Sequence, residues 1–119
     1  MKTILFTLLG LALLFIAPPA QATTISECQA VIGVLITDTQ AATLSAKDES
    51  ALLGKAQNAS LKLDQAKFAD ALQKLVDYQN TLNALHGAAK PKISAADYAT
   101  LSADVAAAIA CVQDLINSL

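Results

Sequence analysis

The 119-residue chain is 55% apolar but only 4% aromatic, is 15% charged, and carries a formal net charge of -2 with a mean hydropathy of +0.48. Its eight basic residues are scattered among ten acids, which argues against nucleic acid as a partner, because phosphate recognition uses clustered Lys and Arg. No polybasic run is present for anionic lipid either.

The chain opens Met1-Lys2, continues as an apolar run from Ile4 to Ala17 broken only by Thr7 and Gly10, and then reads Pro18-Pro19-Ala20-Gln21-Ala22. A positive start, a short apolar core and an Ala-x-Ala exit are the parts of a secretory signal peptide, with cleavage expected after Ala22. A transmembrane anchor is the competing reading, but the run falls short of the ~20 apolar residues that span a bilayer and ends at two prolines. Lipid attachment is disfavoured because the first cysteine comes six positions after Ala22. A secreted or periplasmic protein with no membrane span after cleavage is therefore expected. Residues 23–119 then form one domain with seven lysines, no arginine and ten acids, for a net charge of -3.

The two cysteines, Cys28 and Cys111, both lie after the cleavage point. In an oxidising compartment an even number of cysteines in a short exported chain points to a disulfide, with free or intermolecular thiols as the alternative. Zinc is disfavoured, since the chain offers one His and no Cys-x-x-Cys.

The first element of the mature chain starts at Thr24-Ile25-Ser26-Glu27, a capping box. Ile25, Cys28, Val31, Ile32, Leu35, Ile36 and Thr39 follow at helical spacing to about Ala42. Gly33 weakens this helix by ~1 kcal/mol relative to Ala, or permits a close helix approach. Thr43-Leu44-Ser45 interrupts the pattern, and Ser45 with Asp48 and Glu49 caps a second helix. Its buried stripe is expected to be Leu52, Leu53, Ala56, Ala59 and Leu63. Asp64-Gln65-Ala66 reads as a tight connection, with a continuous helix as the alternative.

A third helix is expected to face the bundle with Phe68, Leu72, Leu75, Gln79, Leu82 and His86, flanked by Ala71, Val76, Tyr78 and Leu85. Lys67, Asp70, Lys74 and Asp77 alternate in sign on its outer face. Gly87 is expected to end it in a left-handed conformation. Residues 88–92, which include Pro91, form a loop. Ser94 then caps a last helix with Asp97 at the box position and Ile93 stapled to Tyr98. Tyr98, Leu101, Val105, Ala108, Val112, Leu115 and Leu119, joined by Ile109 and Ile116, run at heptad spacing almost to the chain end.

Four helices joined by short loops predict an all-α, up-down-up-down bundle, in which the start of the first helix lies beside the end of the last. Cys28 and Cys111 then fall at one end of the bundle, and one disulfide joins the first and last helices. Closing a loop of some eighty residues is worth on the order of 4 to 5 kcal/mol in the chain-entropy model.

No catalytic constellation emerges. His86 accompanies serines and aspartates, but there is no Gly-x-Ser-x-Gly elbow, and a histidine in the last turn of a helix suits the dipole. Asp70 with Asp77, and Asp97 with Asp104, are spaced for paired carboxylates. The first pair is interleaved with lysines and Asp97 is assigned to a cap, so a solvated face is expected. No calcium loop or phosphate-cradling glycine loop occurs, and haem has no usual axial pair, so no cofactor or metal is expected. Asn58-Ala59-Ser60 matches a glycosylation sequon but falls inside a helix. Ala95, Ala96, Ala99, Ala103, Ala106, Ala107 and Ala110 read as plain helix formers, or as a partner groove or apolar-ligand pocket.

Leu61-Lys62-Leu63-Asp64, Ala71-Leu72-Gln73-Lys74-Leu75-Val76, and Lys92-Ile93-Ser94-Ala95-Ala96-Asp97 followed by Leu101 carry a family resemblance. From Leu52 to Leu115, about two-thirds of the mature chain, the sequence resembles the FIMAH-type helical module of bacterial extracellular proteins. The first helix and the cysteine pair fall outside that pattern. The resemblance implies an interaction or spacer module without a known catalytic residue, and no functional site is carried over. The expectation is a non-enzymatic exported module for a protein or cell-envelope partner, with a carrier of a small apolar ligand as the alternative.

Overall fold

The computed structural model describes residues 23–119. The expected signal segment lies outside the described residues. Four helices follow one another: α1 (Ile25–Ala41), α2 (Ala46–Asp64), α3 (Phe68–His86) and α4 (Ala95–Asn117). Each packs on its neighbour in sequence, and α1 closes the ring against α4. The result is an up-down-up-down bundle, and Cys28 and Cys111 are bonded across its closing edge with Cα atoms 5.6 Å apart.

Local chemistry sets the helix starts. Thr24 and Glu27 form the reciprocal capping box, with Glu27 N–H donating to Thr24 Oγ1 at 3.1 Å and Thr24 N–H to Glu27 Oε1 at 2.8 Å. Ser45 and Ser94 accept from the amides of Asp48 and Asp97, each at 3.1 Å. The Asp97 carboxylate does not close the box; it accepts from Thr43 N–H at 3.0 Å. It thus pins the α1–α2 loop to the start of α4.

The break between α2 and α3 occurs where the polar triplet stands. Lys67 N–H donates to Lys62 O at 2.8 Å and Ala66 N–H to Leu63 O at 2.9 Å, the two bonds of a Schellman ending. Its left-handed residue is Ala66, with φ 58°. Gly87, by contrast, ends α3 with φ -85°, so the left-handed ending expected there is corrected. At Gly33 an added Cβ would meet nothing within 4 Å, so it marks no close approach. A left-handed alanine costs about 1 to 2 kcal/mol, and glycine's larger unfolded-state entropy offsets part of that. Ala66→Gly is therefore expected to stabilise the protein by about 0.5 to 1 kcal/mol, read as a higher urea midpoint.

The core draws one stripe from each helix: Cys28, Ile32 and Leu35; Leu52, Ala56, Ala59 and Leu63; Ala71, Leu75, Tyr78 and Leu82; Leu101, Val105, Ala108 and Val112. Each large side chain buried there is worth about 1.5 to 3 kcal/mol. On α3 the seam is rotated from the expected one. Tyr78 is fully buried, while Gln79 is half-buried and His86 exposed. The reason is a polar partner: the Tyr78 hydroxyl lies 2.7 Å from Thr39 Oγ1, and Thr39 in turn donates to Leu35 O at 2.6 Å. With the threonine proton committed, Tyr78 donates. This bond crosses the bundle diagonal between α1 and α3. Leu119 lies beyond the end of α4 and is 87% exposed, so it leaves the expected heptad series.

Candidate functional site

The α1–α4 edge gathers most of the chemistry. It is tied covalently at one end by Cys28–Cys111 and by the Asp97–Thr43 hydrogen bond at the other. Between them Asp38 on α1 meets Asp104 on α4. Asp104 Oδ2 is buried and has no hydrogen-bond donor aimed at it among the described residues. Burial first, then Asp38 as hydrogen-bond partner and as a charge, pushes Asp104 up to about 6. Two carboxylates offer only acceptors, so the contact is satisfied when one proton is shared between them. Burial, with smaller repulsion from Asp104 and Asp38, also pushes the Tyr78 phenol up to about 12 against the lowering effect of Thr39. Tyr78 therefore stays a neutral donor.

This acid pair was not anticipated. Asp97 and Asp104, seven residues apart, are parted by the fold: one tethers a loop and the other faces α1. Asp70 is exposed, and Asp77 accepts from Gln73 Nε2 at 3.0 Å. His86 lies flat against Tyr98, with ring centroids 3.8 Å apart, and the Tyr98 hydroxyl donates to Asn83 at 2.8 Å. These contacts dock the end of α3 on the start of α4. Within the sequon, Ser60 donates to Gln29 Oε1 at 2.5 Å, while Gln29 donates to Ser60 O and Asp64. Among the described residues no group of three or more His, Cys, Asp or Glu is arranged to hold a metal ion.

The second feature of this edge is its outer surface. All seven of the alanines at 95, 96, 99, 103, 106, 107 and 110 are exposed. On α1, Ala30, Val34, Thr37 and Ala41 are exposed as well, Val34 to 53%. Since α1 and α4 pack side by side, these residues make one broad uncharged face. The exposed positions of α2 and α3 are more polar, among them Ser50, Gln57, Asn58, Asp70, Gln73, Asn80 and Asn83. By length and composition α4 is apolar enough to cross a membrane, with a hydropathy of 1.5 over its most apolar window, 28% of it buried. In this fold its buried side belongs to the core. Two grooves, of about 420 and 430 Å³, lie elsewhere: one beside Leu53, Gly54 and Gln57 on α2, the other beside Leu72, Gln113 and Ile116.

The fold thus defines an all-α, disulfide-tied four-helix bundle. No family model matches the chain, and no curated protein or solved structure matches it. The disulfide itself is a feature of oxidising, extracellular-type environments.

Proposed function

We propose that this chain is a non-enzymatic, exported interaction module that engages a protein or cell-envelope partner through the outer face of α1 and α4. The observation that carries this reading is the one-sided distribution of exposed apolar side chains. From Ala30 to Thr37 and from Ala99 to Gln113 the exposed positions of these two helices are uncharged and mostly Ala or Val, whereas those of α2 and α3 are mostly polar, among them Ser50, Gln57, Asn58, Gln73, Asn80 and Asn83. Exposed, contiguous surface without charge is characteristic of contact surfaces. Export to the periplasm or medium is supported by the signal-like start of the chain together with the disulfide. The resemblance of Leu52–Leu115 to a FIMAH-type module agrees with an interaction role.

The test uses Ala103→Glu with Ala107→Glu, both on the exposed side of α4. Wild-type protein used as bait in envelope or medium of the exporting cell is expected to retain a partner that the double variant loses, with the circular dichroism of both unchanged. A turnover activity abolished by His86→Ala would overturn the reading. Native mass spectrometry of the purified protein separates it from a carrier role: a clean apo mass agrees with the module, and a co-purifying lipid argues for the carrier.

A further inference from the structure

We propose that the α1/α4 seam is a pH-operated latch: the last two turns of α1 stay closed on α4 while Asp38 and Asp104 share a proton, and swing open about the Cys28–Cys111 bond once both are ionised. Three contacts tie this seam, each from an α4 position on the side facing α1: Asp97 to Thr43 N–H, Asp104 to Asp38, and Cys111 to Cys28. Positions spaced by seven stay on one side of a helix, so the three ties lie in a row. The disulfide closes one end covalently. At the other end stands a single exposed hydrogen bond, which competes with water and holds weakly. The middle tie alone depends on a proton, because two ionised carboxylates have no donor between them.

No cation offsets the charge when that proton leaves. The group facing Asp104 from α1 is Asp38, and from α3 it is Tyr78, a neutral donor bound to Thr39. Helix α2 does not pack on α4, the other charges of α4, Asp97 and Asp114, are acidic, and neither α1 nor α4 contains a lysine. Asp104 Oδ2 is buried with no donor aimed at it. Asp38 also stands in the last turn of α1, where an ionised carboxylate opposes the helix dipole. The packing places the opening at this end. Along its buried side α1 presents Cys28, Ile32 and Leu35, and then only Thr39 and Ala42, so apolar anchorage falls away toward the α1–α2 loop. The folded form holds the shared proton more tightly than the opened one, so the closed seam is favoured in acid and weakens as pH rises through about 6. Opening uncovers the Tyr78 hydroxyl and the buried side of α4 at Leu101 and Val105.

Amide hydrogen exchange of the oxidised protein at pH 4 and pH 7.5, with each rate divided by the intrinsic rate at that pH, tests the latch. Protection of amides 37–43 is expected to be about tenfold lower at pH 7.5, while amides 29–33 beside the disulfide and amides 75–82 in α3 hold their protection. Asp104→Asn should remove the pH dependence of amides 37–43, and Asp38→Asn should do the same from the opposite helix. Equal protection of amides 37–43 at both pH values would overturn the proposal. A loss shared equally by all four helices would overturn it too, by showing a change in global stability with no hinge at the disulfide. PH dependence that survives in both variants would assign the effect to other groups and would be equally fatal.

Discussion

Replacing Cys28 and Cys111 together by alanine, or reducing their bond, is expected to lower stability by about 4 to 5 kcal/mol. The bond closes a loop with a sequence separation of 83, and a constraint of that length removes a large share of the unfolded chain's freedom. Net stabilities of domains are typically about 5 to 15 kcal/mol, so the reduced protein should be marginal or unfolded at 37 °C. The dependence should fall hardest on α1. Its valines, isoleucines and threonines are poor helix formers, and its last turn holds no base to offset the helix dipole. Urea unfolding of oxidised and reduced protein, followed by circular dichroism, measures the difference. Coincident midpoints would contradict it.

The second large effect is electrostatic. Asp104 is raised from 3.8 to about 6, so the folded state holds this proton more tightly than the unfolded state does. Its contribution is therefore most favourable below about pH 4 and is lost as pH rises to about 6, above which the remaining penalty is constant. A shift of that size corresponds to about 3 kcal/mol at full value. Solvent reaches part of the half-buried side chain, and screening reduces this to about 1 to 2 kcal/mol. Asp104→Asn keeps the shape and supplies a donor for Asp38. The variant is expected to exceed the wild type by about 1 to 2 kcal/mol at pH 7.5 and to match it near pH 4. A gap of equal size at both pH values would show that the effect is packing and not the shared proton.

Local signals proved the most legible part of this fold. The serine and threonine caps, the apolar stripes of α1, α2 and α4 apart from exposed Ile25 and Leu119 and half-buried Leu53, and the break after Asp64 depend on residues within a turn or two of each other, so spacing alone reveals them. The cysteine pairing followed from helix count and parity. What escaped depends on partners distant in sequence. Tyr78 displaced Gln79 and His86 from the seam because its hydroxyl finds Thr39 on the diagonal helix, which no periodicity on α3 encodes. The contact of Asp38 with Asp104 joins helices at opposite ends of the chain, and neither residue has a distinctive neighbourhood. The left-handed ending expected at Gly87 does not form, and one forms at Ala66 instead, where the hydrogen bonding after α2 imposes the turn on the alanine. The neutral face was visible as alanine spacing but could not be placed outside or inside the bundle until the core was known.

The central claim is an exported bundle whose first and last helices are one covalent unit, and non-reducing tryptic mapping of the protein from its native source tests it directly. No arginine occurs in residues 23–119, and every lysine lies between Lys47 and Lys92. Trypsin should therefore release residues 23–47 and 93–119 as a single disulfide-linked species that separates into two peptides on reduction, the first beginning at Thr23. Recovery of the two peptides separately, with reactive thiols and without reductant, or of either peptide linked to its own copy, would contradict the account.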